Sequence, residues 1–195
     1  MGYWARPARP VQRRRALDAG RIAAAAVALL DRAGEQALTV RAVAAELGVA
    51  QSSLYAHVDG IEDVLDLALD RVLERDPRLM RPAPAETLSD LLTAWYEHMV
   101  AHPWVPRQVA RAEPTGPGYS ALAERFRALV RPWCPPADVL TVTFALSDFA
   151  LGSAITAAAA GGTGSTAGGD ARPTDPLDVF RRGLRAMLDG FAVQR

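Results

Sequence analysis

Apolar residues recur at three- and four-residue spacing along almost the whole chain, and glycine or proline cuts the pattern into segments. No stretch alternates apolar and polar residues with the period of two that a half-buried strand needs, so the spacing predicts an all-α protein. Asp18 is placed to cap a helix reaching Ala33, with Ile22, Ala26, Leu29 and Leu30 on one face and Gly34 as its stop. Thr39 is placed to cap a second helix, which Gly48 ends. A short segment over 50–56 follows, with Leu54 inward. Asp59-Gly60 breaks the chain before a fourth helix, whose apolar stripe is Val64, Leu65, Ala68, Leu69, Val72 and Leu73. Further helices are expected over 86–101, 105–112, 119–130, 138–160 and 177–191. The Gly/Thr/Ser-rich stretch 161–176 is read as a loop.

The spacing divides the chain into a basic arm (1–16), a small unit of three helices (17–60), a linking helix (61–76) and a larger helical body (77–195). Charge supports the first division. The 195 residues carry 22 basic and 22 acidic groups, and every basic one is arginine. Arg6, Arg9, Arg13, Arg14 and Arg15 precede the first acid, Asp18, whereas 59–78 is rich in Asp and Glu. A net charge of zero therefore conceals a local basic patch of the kind nucleic acid attracts. Cys134 is the single cysteine, which excludes an internal disulfide or a zinc–thiolate cluster. No apolar stretch with a small-residue cleavage site follows the basic N-terminus, so the expected location is the cytoplasm. The longest apolar run, 139–160, contains Asp148 and turns to alanine late; it reads as a buried helix, with no membrane partner.

The segment 38–58, LTVRAVAAELGVAQSSLYAHV, is the most informative. Two short helices meeting across Gly48-Val49 have the form of a helix-turn-helix, whose second helix enters the major groove of DNA. The outward positions of that helix are Gln51, Ser52, Ser53, Tyr55 and His57. Gln matches the adenine edge, Ser serves several base edges, and Tyr and His reach phosphates. Arg41, early in the preceding helix, suits a guanine or a phosphate. An ordinary helical hairpin with a polar outer face is the alternative.

From Asp18 to Leu73 the chain resembles the DNA-binding domain of the TetR family of transcriptional regulators. The pattern is Arg21-Ile22, Ala28-Leu29-Leu30, Gly34, Leu38-Thr39-Val40-Arg41, Ala44, Leu47-Gly48-Val49, Leu54-Tyr55-Ala56-His57-Val58 and Leu65. The likeness over 51–57 is greatest to the branch that includes the tetracycline repressor. The resemblance implies that Arg41, Gln51, Ser53, Tyr55 and His57 lie at or near double-stranded DNA. One position departs: the family usually has a phosphate-gripping lysine at the start of the fourth helix, where this chain has Ile61. Asp59 stands where that branch has a basic residue, and Asp59, Glu62 and Asp63 would all repel a phosphate. Arg13, Arg14 and Arg15 are placed to compensate along the backbone or in the minor groove.

The remainder is similar to the family's ligand-binding and dimerising domain. This similarity rests on His102-Pro103-Trp104, on 116–122, on the long apolar helix, and on Phe180-Arg181-Arg182-Gly183-Leu184 through Leu188-Asp189-Gly190. It implies a homodimer built on the last two long helices, with Leu151, Ala154, Ile155, Ala158, Phe180, Leu184 and Leu188 as candidate contacts. Trp95, Tyr96, Met99, Trp104, Trp133 and Phe149 are candidate contacts for a mostly apolar small-molecule effector. No Asn, Gln and His set matching a drug–magnesium site is present, so the effector is expected to differ from tetracycline. His98 and His102 lie one turn apart but lack a third metal ligand, and neither a metal nor a cofactor is expected. Cys134 has no sequence-adjacent base, and Gly161-Gly162-Thr163-Gly164 lacks the lysine of a phosphate loop, so no enzyme is indicated. The reading is a ligand-responsive regulator, a repressor, on a palindromic operator; a helical binding module with weakened DNA affinity is the alternative.

Overall fold

A computed structural model describes residues 17–111, 114–162 and 175–193. Among the described residues every regular element is a helix. The elements are α1 (Ala19–Ala33), α2 (Val40–Leu47), α3 (Gln51–Tyr55), α4 (Ile61–Arg75), α5 (Pro77–Met80), α6 (Leu88–Ala101), α7 (Val105–Arg111), α8 (Pro117–Val130), α9 (Val139–Gly162) and α10 (Pro176–Val193). Short 3-10 turns occupy Glu35–Ala37, Arg131–Trp133 and Pro136–Asp138.

The chain forms two compact units, and the division is not a single cut. Among the described residues, the first unit takes those up to Met80 together with Arg107–Leu122, and the second takes Arg81–Pro106 and those from Ala123 onward. Sequence spacing assigns 107–122 to the larger body, whereas in the structure this stretch packs with the N-terminal helices.

In the first unit α1 packs mainly on α4 and also on α2, and α2 packs on α3. Local chemistry explains the helix starts. The Asp18 side chain accepts the Arg21 N–H at 2.8 Å, and Thr39 Oγ1 accepts the Ala42 N–H at 3.0 Å. Each satisfies an amide that the first turn leaves without a helical partner, for about 1 kcal/mol. Gly48 ends α2 at φ 65°, ψ 33°, the left-handed region that a side chain disfavours. The core is Ile22, Ala26, Leu30, Val43, Leu54, Val58, Val64, Leu65, Leu69 and Leu73, all buried. Pro77 follows α4 and opens the one-turn helix α5. Proline suits a first helical position because that amide would bond to nothing in the helix.

In the second unit α6 packs principally on α9, and α10 lies against both. Thr87 and Asp90 form a reciprocal capping box at the start of α6, and Thr87 draws the Asp90 carboxyl below its ordinary range. The stretch 136–159 is long and apolar enough to cross a bilayer by length and composition. Val142, Leu146, Ala150 and Ala154, at four-residue spacing, form its buried line, whereas Leu140, Phe144 and Ile155 are exposed, so the helix is not the buried one that its composition suggests.

Candidate nucleic-acid interface

Leu54 and Val58 are fully buried, and this anchoring decides which way α3 faces. With Leu54 turned inward, Gln51, Ser52, Ser53 and Tyr55 are all exposed, and His57 just beyond the helix is half-exposed. The turn from α2 is closed by Gly48 N–H to Ala45 and Val49 N–H to Ala44. Arg41, the second residue of α2, is exposed. The six predicted contact residues in the described chain are thus all solvent-accessible, and four of them share the short helix α3. Gln51 Nε2 donates to Tyr55 Oη at 3.3 Å across one helical turn. Arg13, Arg14 and Arg15 lie outside the described residues.

The acidic start of α4 is not a uniform acidic face. The Asp63 carboxylate is buried and accepts the Asp59 N–H at 2.6 Å, acting as a cap on the turn into α4. Glu62 stays exposed and lies 4.0 Å from Arg111. Arg111 also donates to Glu35, so one guanidinium serves the turn after α1 and the start of α4. Asp59 remains exposed and Ile61 half-buried. Of three carboxylates predicted to repel phosphate, one is spent inside the fold and one carries an ion pair. Helix-start spacing alone could have suggested the role of Asp63, because a carboxylate in a first turn commonly bonds back to the preceding backbone.

A two-helix turn that buries one leucine, exposes a polar row and ends its first helix on a left-handed glycine matches the model of bacterial regulatory proteins of the tetR family over residues 22–67. Over these residues the chain has the helix-turn-helix pattern of the TetR family. It is 33% identical over 153 residues to an HTH-type transcriptional regulator of Saccharopolyspora erythraea, covering 77% of this chain and 65% of that one. It is 36% identical over 140 residues to the HTH-type transcriptional repressor DrrR1 of Streptomyces coeruleorubidus, covering 65% of this chain and 47% of that one. It therefore spans less than two thirds of the length of these two relatives. Among solved structures, the Streptomyces coelicolor TetR family protein ActR, in complex with (S)-DNPA, superposes with a TM-score of 0.75 at 25% identity, covering 91% of this chain and 98% of that one.

The second unit places four of the six predicted effector residues, Trp95, Tyr96, Trp104 and Phe149, in two rows of rings. Tyr96 stacks on Phe180 at 4.2 Å, and Phe149 stacks on the same ring at 5.4 Å. Trp95 stacks on His98 at 5.8 Å, His98 meets His102 at 5.0 Å, and His102 meets the edge of Trp104 at 6.2 Å. Trp95, Tyr96, Met99 and Trp104 are buried, while Phe149 and Trp133 are half-buried. Burial raises the Tyr96 phenol above its ordinary value, with Asp175 adding to the effect. Among the described residues, no three His, Cys, Asp or Glu side chains are placed to hold a metal. Cys134 is half-buried, with Sγ 3.9 Å from the Val130 carbonyl. A separate surface pocket of about 390 Å³ is lined by Arg127, Arg131, Pro136, Val139 and Leu140, and none of the six predicted residues lines it. Its two arginines both bond Glu124, at 3.0 and 2.9 Å, and so bring little free positive charge to a ligand.

The predicted dimer contacts separate into two groups. Ala154, Phe180, Leu184 and Leu188 are buried within the single chain, so the protomer's own core already uses them. Ile155 is 41% exposed, and Leu151 and Ala158 are half-buried. Leu140, Phe144 and Val179 are exposed large apolar residues that the sequence reading did not select, at 56%, 58% and 54%. On α9, Leu140, Phe144, Leu151 and Ile155 follow helical spacing, and that repeat was the available signal.

Proposed function

We propose that this chain is a ligand-responsive transcriptional repressor that binds a palindromic operator in double-stranded DNA as a homodimer. The observation that carries this is the row Gln51, Ser52, Ser53 and Tyr55, exposed on a helix that buried Leu54 and Val58 hold in place. Gln51 and the two serines meet base edges, Tyr55 and His57 reach phosphates, and Arg41 takes a guanine or a phosphate. Arg13, Arg14 and Arg15 follow the backbone or the minor groove. A recognition helix of this length reads only a few base pairs. Two of them related by a twofold read half-sites one helical turn, or a multiple of that, apart.

Functionally, residues 1–16 are the arm, 17–60 the helix-turn-helix, 61–76 the linking helix, and the chain from 77 onward the effector-binding and dimerising body. The exposed line Leu140, Phe144, Leu151 and Ile155 on α9, with Val179 on α10, is the face offered to a second copy. A mostly apolar small molecule binds among Trp95, Tyr96, Met99, Trp104, Trp133 and Phe149. Support comes from the relative described as a repressor and from the ActR structure with a small molecule bound. Release follows if the effector prefers a state in which the two recognition helices no longer match successive grooves, and the coupling is reciprocal.

Footprinting on DNA upstream of the protein's own gene, at two salt concentrations, tests the reading. A protected palindrome whose affinity falls steeply with salt is the expected result. Absence of protection at low salt, together with no enrichment from a random duplex library, would leave only the weakened-DNA-binding alternative.

A further inference from the structure

We infer that Arg125 and Glu86 form a latch on the chain between α5 and α6, and that this latch sets the half-site spacing the dimer accepts. The inference rests on the palindrome-binding reading above. The chain passes from one unit to the other at Met80–Arg81, Pro106–Arg107 and Leu122–Ala123. The second passage lies inside α7 and the third inside α8. The first opens onto 81–87, which holds no helix, so here the backbone can change course without breaking helical hydrogen bonds.

Within 81–87 the freedom is concentrated at one residue. Pro82 and Pro84 fix their own φ and disfavour the helical region at Arg81 and Ala83. The Glu86 N–H donates to the Ala83 carbonyl at 3.2 Å, closing a turn with Pro84 second and Ala85 third. Ala85 has φ 57°, the positive value that a type II turn needs at its third position and that glycine ordinarily supplies. Among the described residues it is the one non-glycine residue with positive φ. Such a conformation persists only where the surroundings impose it.

Here the imposing group comes from α8. Arg125 Nε donates to Glu86 Oε2 at 2.9 Å, and Nη2 donates to Glu86 Oε1 and, at 3.3 Å, to the Arg81 carbonyl. The two side chains are only 12% and 10% exposed. One guanidinium therefore ties down Arg81 and Glu86, on either side of the strained alanine. Two-pronged pairing of this kind fixes angle as well as distance. A dimer reads a palindrome when its two recognition helices stand at the separation of the half-sites. A pinned connection narrows the range of separations before DNA is met, and a released one widens it.

Full-length wild type, Glu86→Gln and Glu86→Gln/Ala85→Gly are compared on the palindrome that wild type selects from a random duplex library, and on the same palindrome with one base pair added between its half-sites. Wild type should lose roughly 10- to 100-fold in affinity on the lengthened site. Glu86→Gln should lose at most about one third as much. Adding Ala85→Gly should restore the wild-type penalty to within about 2-fold, because glycine takes a positive φ without strain. Amide exchange of the DNA-free proteins, read by mass spectrometry in peptides covering 81–88, is the second readout, and Glu86→Gln should exchange at least about 3-fold faster than wild type. Thermal melting checks folding. Should Glu86→Gln melt early because Arg125 is left with a buried charge, Glu86→Leu/Arg125→Met, which leaves no lone charge, replaces it with the same expectations. Equal spacing penalties in wild type and the latch variant, unchanged exchange, or no restoration by Ala85→Gly would each overturn the inference. If wild type enriched no palindrome, the DNA-binding reading would fall and the spacing role with it, and exchange alone would decide whether the latch holds the connection.

Discussion

The Asp70 carboxylate, late in α4, accepts the Gly118 N–H at 2.6 Å across 48 residues of sequence. Gly118 is the second residue of α8, so a side chain from the linking helix caps a helix of the stretch 107–122. Asp70 is only 3% exposed, and a Cβ on Gly118 would stand 2.7 Å from Asp70 Oδ1. With Arg111 bonded to Glu35 and close to Glu62, 107–122 is attached to the first unit at two places. Asp70→Ala and Gly118→Ala should each cost about 1–3 kcal/mol, the first by leaving buried amides unsatisfied and the second by forcing the carboxylate aside. The double variant should cost less than the two together by at least about 0.5 kcal/mol in urea unfolding, whereas strictly additive costs would show that the two groups are uncoupled.

Burial pushes the Asp70 carboxyl above its ordinary value, opposed by the amides of Gly118 and Tyr119 and reinforced by the charge of Glu74. Between the ordinary carboxylate value and the raised one, the folded chain holds a proton that the unfolded chain has released. Asp70 therefore lowers stability as pH climbs through that window, and its charge is a standing cost at neutral pH. Relative to Asp70→Asn, which has no such charge, wild type should gain stability as pH falls from 7 towards 4. Urea midpoints of both proteins across that range check this, and a gain on the alkaline side would contradict it.

Ile61 occupies the first position of α4, where lysine is usual in the TetR family that the chain resembles. Ile61→Lys should add one phosphate contact per subunit and steepen the salt dependence of operator binding by about 0.9 per subunit. The half-buried stem can remain against the protein while the ammonium reaches out. Affinity measured at several salt concentrations reads the slope directly. An unchanged slope would mean that the start of α4 does not approach the backbone.

Phe144 and Leu184 present opposite cases. Phe144 is exposed and lies in the line proposed for the second copy, while Leu184 is fully buried in its own chain. Phe144→Asp should dissociate the dimer and leave a folded monomer, seen by sedimentation and helical circular dichroism. Leu184→Asp should cost more than about 3 kcal/mol and unfold the second unit, because a carboxylate would be buried without a partner. A Phe144→Asp protein that still sediments as a dimer would place the interface elsewhere.

Much of the helical layout was legible from local chemistry. Asp18, Thr39 and Gly48 act within three or four residues of themselves, so a linear reading finds them. The inward turn of Leu54 was legible in the short segment 50–56, and with it the exposure of Gln51, Ser52, Ser53 and Tyr55. The boundary at 77 was less complete, because the bond from Asp70 to Gly118 has no local signature and 107–122 carries no composition marking it as part of the first unit.

What the sequence by itself determined is the longer helices, the capping roles of Asp18, Thr39 and Gly48, and the polar face of the recognition helix, because capping and periodicity are short-range. The tertiary structure decided how competing groups are used. It turned Asp63 into the fold, paired Glu62 with Arg111, and packed Phe180 against Tyr96 and Phe149 while leaving Leu140 and Phe144 outside. An apolar stripe states only that something must cover it. Whether the cover is a neighbouring helix or a second copy depends on contacts distant in sequence, and these exist only once the chain has packed.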